Sequence, residues 1–207
     1  MNKEKIQFLI KLSSILIPFG FGIYSFGIGY MKGSMFHISI FAYYFILSFL
    51  RGILIFRKKE SMPVMIFSSI LMLISTIVLF APITIMSLQK KEIHYTEIMA
   101  ISVAAYTAYK VAHVCIQVFS RKKEKTKMDI LILSLAMNNA ILSVMNLQYT
   151  LSNTFDNGSS NMQTMSYYTN FLLLSLMVGV SVYAIVKIVG KTRKEKSEIV
   201  KKDKSVP

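Results

Sequence analysis

Six apolar stretches, each long enough to cross a lipid bilayer as a helix, occupy most of this 207-residue chain. A hydrocarbon core about 30 Å thick is crossed by roughly 20 helical residues. Because a backbone surrounded by lipid must satisfy its own hydrogen bonds, each stretch is predicted to be an α-helix. The sequence therefore predicts an all-α polytopic membrane protein, a bundle of six transmembrane helices within residues 1–190. The predicted spans are residues 6–30, 35–56, 63–88, 95–119, 128–152 and 166–190.

The distribution of lysine and arginine predicts which ends of the spans face the cytoplasm. Cytoplasmic loops of membrane proteins are enriched in basic residues. The loop after span 2 contains Arg57, Lys58 and Lys59, and the loop after span 4 contains five basic residues, whereas the loop after span 5 has none. Lys90 and Lys91, after span 3, are the exceptions, and they are outweighed. We therefore predict a multi-pass protein of the cell membrane with both termini in the cytoplasm.

The formal net charge of +14 is explained mainly by this topology, because the basic residues cluster at the predicted cytoplasmic helix ends and in residues 191–207. That last segment is predicted to be a basic, disordered cytoplasmic tail. It either lies against anionic lipid or is simply solvated. Nucleic-acid binding is not expected, because no folded soluble surface is left to present the charge. The lipid bilayer is the one partner that the composition requires.

The sequence contains none of the motifs that would indicate an enzyme, a cofactor site or a metal site. It has no HExxH, no GxSxG and no phosphate-binding GxxxxGK. Its histidines, His37, His94 and His113, fall on separate segments, and its single cysteine, Cys115, has no partner within the chain. We therefore expect no catalytic residue, no cofactor and no metal.

Polar residues inside span 4 lie along one helical stripe. Tyr106, Lys110, His113 and Gln117 are separated by four, three and four residues, which places them on one face of a helix. Lys110 is the most unusual of them, because a charged lysine at the centre of a membrane helix costs about 2.5 to 3.5 kcal/mol on insertion scales. It therefore needs a partner, loses its proton, or extends to an interface.

Span 5 repeats this pattern with amides and hydroxyls. Asn139, Ser143, Asn146 and Thr150 follow the same spacing, and Asn138 lies beside them. The two adjacent asparagines and the lysine of span 4 each lie about ten residues, or roughly 15 Å, from the loop joining the two spans. If the stripes face each other, the asparagine carbonyls hold the ammonium. The predicted ligand site between spans 4 and 5 consists of Lys110, His113, Tyr106, Asn138, Asn139, Ser143 and Asn146.

A structural role for the same residues is the alternative. Asparagine and serine often join transmembrane helices by hydrogen bonds worth about 0.6 kcal/mol each, with no ligand involved. Arg51 lies on span 2 in one stripe with Tyr44 and Ser48, close to the predicted cytoplasmic end. Extension of its side chain to lipid phosphate is favoured over a place in the site, so Arg51 is a secondary candidate.

The absence of buried carboxylates favours one class of ligand. Glu97 and Asp129 lie near helix ends, and no span has an acidic residue in its interior. Proton- and sodium-coupled carriers normally place a carboxylate inside the membrane. A site for a small anionic or polar solute needs only a cation and hydrogen-bond donors, and these are present.

Small residues and prolines indicate how the helices pack. Ser25 and Gly29 in span 1 form a pair four residues apart that allows another helix to approach closely. Pro18 and Pro82 fall inside spans 1 and 3, where proline removes a backbone hydrogen bond and tends to kink a helix.

Three segments carry a recognisable pattern: IFAYYFILSFLRGILIF in span 2, MAISVAAYTAYKVAHVCIQVFSRKK in span 4 and LAMNNAILSVMNLQYTL in span 5. In span 2 a tyrosine pair precedes an arginine, and span 4 contains an AYTxYK-like segment. Span 5 ends in an SxLxLQT-like segment, which is interrupted here by Tyr149. They correspond to Tyr43, Tyr44 and Arg51, to residues 105–110 and to residues 143–150. The chain thus resembles an uncharacterised family of small six-span integral membrane proteins of low-GC Gram-positive bacteria. The resemblance implies a bacterial plasma membrane and no assigned activity.

Two functions from different classes are consistent with these features. The first is a small transport or ligand-binding bundle for an anionic or polar solute, with its site at the bilayer midplane. The second is an accessory or regulatory subunit without transport activity, whose polar stripes and small residues pack against a partner membrane protein or another copy of the chain.

Overall fold

The computed structural model describes residues 3–56, 61–88, 95–119, 126–155 and 160–203. Within these residues the chain forms seven α-helices and no β-strand. The helices are α1 (Lys3–Lys32), α2 (Met35–Phe56), α3 (Met62–Val78), α4 (Phe80–Leu88), α5 (Glu97–Phe119), α6 (Lys127–Phe155) and α7 (Ser160–Asp203).

Six helical segments of the described chain are long and apolar enough to cross a membrane, with α3 and the start of α4 forming the third. The predicted all-helical fold with six membrane-spanning segments is therefore confirmed. Most of the basic loop residues on which the predicted orientation rests, including Arg57 and Lys90, lie outside the described residues. The segments are Leu12–Lys32, Met35–Phe56, Met62–Thr84, Glu97–Phe119, Lys127–Phe155 and Thr164–Glu195.

The basic tail differs from the sequence prediction. The helix α7 has 44 residues and continues to Asp203, so residues 191–203 are helical where disorder is predicted. A helix of this length measures about 66 Å, which exceeds the roughly 40 to 45 Å of a whole bilayer. Near this end Lys127, at the start of α6, forms an ion pair with Glu195 of α7. The extension is thereby tied to the body of the bundle.

The helix α6 is the centre of the bundle. In an apolar 18-residue stretch of its membrane-spanning segment 72% of the residues are buried, compared with 28% for the corresponding stretches of α5 and α7. It packs against α2, α3, α5 and α7, whereas α1 packs against α2 and α5 packs against α6. No Cα atom of α1 lies within 8 Å of a Cα atom of α5 among the described residues. The two outer helices therefore flank the α2–α6 pair with a gap between them.

The close packing of α1 on α2 depends on glycine. Gly33 has a φ of 64°, a left-handed conformation that suits glycine, and it ends α1 so that α2 begins two residues later. One turn earlier, a Cβ atom on Gly29 would lie 2.9 Å from Cγ1 of Ile38. At Gly22 it would lie 3.1 Å from Cβ of Tyr44. The packing role predicted for Gly29 is confirmed.

A break in the third span follows from Pro82. The helix α3 ends at Val78 and α4 begins at Phe80, so Leu79 separates them. Proline has no amide hydrogen to donate to the carbonyl four residues earlier, which here belongs to Val78. The predicted kink at Pro82 is therefore confirmed, whereas α1 continues through Pro18 as one helix.

Candidate functional site

Arg51 is buried in the bundle, with 4% of its surface exposed. Its Nη1 donates a hydrogen bond to the backbone carbonyl of Ser14 in α1, with 3.0 Å between nitrogen and oxygen. The side chain therefore turns toward α1. A guanidinium has five N–H donors, so one bond to a carbonyl leaves most of them available.

Lys110 is buried to the same degree, with 4% exposed. Its ammonium lies 5.3 Å from the centre of the Tyr106 ring and 5.6 Å from that of Tyr109, both on its own helix α5. These distances are typical of cation–π contacts. The ammonium forms no hydrogen bond or ion pair with any described residue. The predicted lysine is thus placed inside the protein without an anionic partner.

The two buried cations lie on different helices but within electrostatic range of each other. The guanidinium of Arg51 interacts electrostatically with Lys110 and with His113, both on α5. Gln117 continues the same face, with its Nε2 3.2 Å from Nε2 of His113. The stripe predicted on span 4 therefore lies within electrostatic range of Arg51 of span 2, a secondary candidate from the sequence.

A cluster of three aromatic rings closes one side of the cations. Phe21 of α1 stacks on Tyr106 of α5, with 3.7 Å between centroids and 3° between ring planes. Tyr44 of α2 meets both rings edge-on, at 5.7 and 6.0 Å. The hydroxyls of the two tyrosines interact electrostatically, but they are not aligned for a hydrogen bond to each other or to another described residue. We call Phe21, Tyr44 and Tyr106 the aromatic triad.

The residue spacing explains why these side chains meet. Phe21 is seven residues after Ser14 on α1, and Tyr44 is seven residues before Arg51 on α2. Consecutive spans run in opposite directions. The step from Ser14 to Phe21 and the step from Arg51 to Tyr44 therefore each cover two turns, about 10 Å, toward the same side of the membrane. On α5, which runs parallel to α2, Lys110 lies one turn from the triad on the side of Arg51. The cations thus lie between the triad and the carboxyl-terminal end of α2.

Asn138 lies apart from this site. Its amide donates a hydrogen bond to the hydroxyl of Ser181 in α7, with 2.9 Å between nitrogen and oxygen. It also interacts with Tyr43 of α2, whose hydroxyl is 3.1 Å from that of Thr76 in α3. The structure therefore does not join Asn138 to Lys110. The residue belongs instead to a polar contact among α2, α3, α6 and α7.

The other predicted residues of α6 are buried along the bundle interior. Thr107 of α5, which lies outside the predicted stripe of span 4, donates a hydrogen bond to the backbone carbonyl of Ser143 at 2.9 Å, so this stretch of α6 packs against α5. The side-chain oxygen of Asn139 and both polar side-chain atoms of Asn146 are buried without a hydrogen-bond partner among the described residues. Buried amides in this condition ordinarily bind water or a ligand. No described hydrogen bond joins these amides to Lys110.

A separate polar cluster lies at the other end of α2. His37 is buried, and its Nδ1 lies 3.1 Å from the hydroxyl of Ser34 and 3.3 Å from that of Tyr95. The ring of Tyr149 packs 5.7 Å from the histidine and 6.0 Å from Tyr95. Burial raises the pKa of the Tyr95 hydroxyl, and the nearby Tyr149 adds to this effect. The cluster ties the start of α5 to α2 and α6.

Sequence reasoning missed two parts of the site. Phe21 could not be identified from the sequence, because an apolar residue that faces the bundle interior looks the same in a membrane span as one that faces lipid. Ser14 contributes its backbone carbonyl, which no side-chain pattern reveals. Tyr44 was visible in the same stripe as Arg51, and that spacing was the available signal.

The chain matches no family model, no curated protein and no solved structure. The described residues hold no group of three histidine, cysteine or acidic side chains suited to a metal ion. The arrangement offers two buried cations, a histidine and tyrosine hydroxyls, facing one another across three helices. Such a set of donors has the chemistry to bind an anion.

Proposed function

We propose that the protein is a small membrane-embedded binding or transport bundle for a ligand with an anionic group, with its site between α1, α2 and α5. The observation that carries this proposal is the pairing of buried Arg51 and Lys110 without a described carboxylate. The site shares Lys110, His113 and Tyr106 with the one expected from the sequence, and it replaces the asparagines of α6 by Arg51.

Electrostatics supports an anionic ligand. Removing each cation from water costs several kcal/mol after relaxation, and a second cation nearby adds repulsion. An anion bound between Arg51 and Lys110 offsets both the desolvation cost and the repulsion, because it attracts each cation and provides acceptors for their N–H groups. The hydroxyls of Tyr44 and Tyr106, whose residues lie two turns from Arg51 and one turn from Lys110, supply further donors.

The orientation and location in this proposal follow the charge distribution. With both termini cytoplasmic in a bacterial plasma membrane, Arg51 lies in the cytoplasmic half of the bilayer, and the aromatic triad lies on the outer side of the cations. The basic residues of the end of α7 then face anionic lipid on the cytoplasmic side. A ligand would reach the site from the side of the membrane where Arg51 lies.

The proposal is tested by thermal unfolding of the purified full-length chain in mild detergent with a panel of anions. A ligand at about a hundred times its Kd stabilises a protein by about 2.7 kcal/mol. We expect this stabilisation in the wild type and its loss in Lys110→Met. The matched control is Lys187→Met, because Lys187 also lies over a tyrosine, Tyr183, at 5.7 Å but is exposed. A panel that stabilises all three proteins equally, or none of them, contradicts the proposal.

One observation favours the second candidate function, an accessory subunit. Apart from α6, no described helix has Cα atoms within 8 Å of those of α5. Its exposed outer face carries small residues spaced by three or four, which is typical of a helix that packs against another in the membrane. These residues are Ser102, Ala105, Ala108, Ala112 and Cys115.

The native cysteine tests this alternative directly. Cys115 is exposed on the same face, and it is the only cysteine in the chain. Thiol cross-linking in native membranes joins two copies, or a copy and a partner, only if this face is covered by a second thiol-bearing helix. A specific cross-linked product together with an absence of anion binding would favour the subunit function.

A further inference from the structure

We infer that the groove between α2 and α3 is a binding site for one acyl chain of a membrane lipid. The groove is lined by residues between 39 and 46 of α2 and between 71 and 79 of α3 and the break that follows it. It lies away from the anion site, because Ala42 is about 200° around α2 from Tyr44. The inference is therefore independent of the proposed function.

The groove opens to lipid and ends on buried side chains. Its volume is about 200 Å³. On the rim, Ala42 is exposed, Ile74 is 50% exposed and Val78 is 63% exposed. On the floor, Tyr43 and Leu79 are each 2% exposed. Because α2 and α3 belong to segments that cross the membrane, the hydrocarbon of the bilayer lies directly against the rim.

The described lining offers no free polar side chain to an occupant. Three lining residues carry a hydroxyl, and each hydroxyl is engaged inside the protein. Those of Ser39 and Ser75 donate hydrogen bonds to backbone carbonyls one turn earlier, at 2.9 and 2.7 Å. The hydroxyl of Tyr43 lies 3.1 Å from that of Thr76. A polar group entering the groove would find no side-chain partner, so the groove suits a hydrocarbon.

The size and surroundings of the groove favour a flexible chain over a second helix. An apolar protein cavity of about 150 Å³ holds a benzene molecule, so this groove has room for a short stretch of acyl chain. Membrane helices approach one another closely where their residues are small. Here Phe49 lies two turns from Ala42 and is 57% exposed, and Phe67 lies two turns from Ile74 and is 58% exposed. These rings hold off a second helix, whereas an acyl chain lies between them.

The groove adjoins the break in the third span. Leu79, on its floor, is the residue that separates α3 from α4. Tyr43 also lines the groove, while its hydroxyl belongs to the polar contact among α2, α3, α6 and α7. An acyl chain in the groove thus packs against the break and against the tyrosine that ties α2 to α3. It fills space that these two helices leave between them.

The test is NMR spectroscopy of the full-length chain in nanodiscs of phosphatidylglycerol. The protein is deuterated except for the methyl groups of isoleucine, leucine and methionine, and the lipid chains are protonated, so cross-peaks report methyl groups in direct contact with acyl chains. We expect cross-peaks to Ile77, which is 51% exposed, and also to Leu79, which a chain touches only from inside the groove. Met72, which is 0% exposed and does not line the groove, should give none.

Two variants fill the groove from opposite helices. Ala42→Leu and Val78→Phe are each expected to remove the cross-peak of Leu79 and to leave that of Ile77. Both positions are exposed, so neither larger side chain has to enter the packed core. Ala105→Leu is the matched control, because Ala105 is also an exposed alanine but lies on α5, away from the groove. It should keep both cross-peaks.

The outcomes distinguish the acyl chain from other occupants. Absence of the Leu79 cross-peak in the wild type overturns the inference, and so does a cross-peak that survives in both filling variants. A second sample mixes deuterated and protonated copies of the protein in lipid with deuterated chains. A Leu79 cross-peak in that sample would mean that a second copy fills the groove, which also overturns the inference. Its loss there, with its presence in protonated lipid, supports the acyl chain.

Discussion

The rings of Phe21 and Tyr106 stack face to face 3.7 Å apart, although no Cα atoms of their two helices come within 8 Å of each other among the described residues. One pair of side chains thus joins α1 to α5 across the gap. The stack also places an aromatic surface directly over Lys110, whose ammonium lies 5.3 Å from the Tyr106 ring.

Phe21→Ala is expected to destabilise the protein and to loosen α1 from α5. An aromatic pair contributes about 0.5 to 1.5 kcal/mol beyond the burial of its area, and truncating the ring loses that contact. Thermal unfolding in detergent measures the loss. Phe67→Ala is the control, because Phe67 is 58% exposed on α3. If Phe21→Ala lowers the stability no more than the control does, the stack does not hold the helices together.

The hydrogen bond between Asn138 and Ser181 is expected to stabilise the α6–α7 pair without serving the anion site. Asn138→Leu and Ser181→Ala, alone and together, form a double-mutant cycle. Hydrogen bonds between membrane helices average about 0.6 kcal/mol in such cycles, so a coupling of that size is expected from unfolding measurements.

Anion binding provides the second measurement for the same variants. Asn138→Leu should leave the Kd for the anion unchanged, because the side chain faces α7 and not Lys110. A large rise in Kd, with the fold intact, would mean that Asn138 belongs to the ligand site, as the sequence predicts.

Gly29→Ala is expected to destabilise the α1–α2 pair, whereas Gly27→Ala is not. The added Cβ at Gly29 would lie 3.0 Å from the backbone nitrogen of Ile38, which cannot yield as a flexible side chain can. At Gly27 a Cβ meets nothing within 4 Å, and alanine favours a helix over glycine by up to about 1 kcal/mol. We expect the unfolding temperature to fall for Gly29→Ala and to stay level or rise for Gly27→Ala. Equal effects would show that α1 does not depend on this contact.

The predicted orientation is tested by labelling engineered cysteines in intact cells. In a Cys115→Ser background, Gly158→Cys in the fifth connection is expected to react with a membrane-impermeant maleimide, and Ser205→Cys near the carboxyl terminus is not. Permeabilised cells provide the control, because both cysteines should then react. The opposite pattern would reverse the topology.

The fold was predictable because the bilayer fixes the length of a spanning helix, and hydrophobic runs of that length are visible in one sequence. The break before Pro82 was predictable for a similar reason, since proline lacks a specific hydrogen bond. The burial of Lys110 inside the protein was predictable because a charged lysine is costly at that depth in contact with lipid.

The partner of Lys110 was not predictable, because helix rotation and helix order leave little trace in a single sequence. Asn138 and Asn139 are adjacent, yet one residue turns a helix by about 100°, so they face different neighbours. The short loop between spans 4 and 5 indicated that these helices are neighbours, which is correct. It did not indicate that the lysine would face span 2, whose helix has no described backbone contact with α5.

The position of α5 at the edge of the bundle has a consequence for biogenesis. Its membrane segment has the lowest mean hydropathy of the six, 1.3, and α6, the one described helix with Cα atoms within 8 Å of its own, follows it in the chain. When α5 leaves the ribosome, α6 has not been synthesised, so the face of α5 that carries Thr107 has no protein to cover it. We therefore expect the insertion machinery to retain α5 until α6 has been synthesised and to release the two into the lipid together as a hairpin.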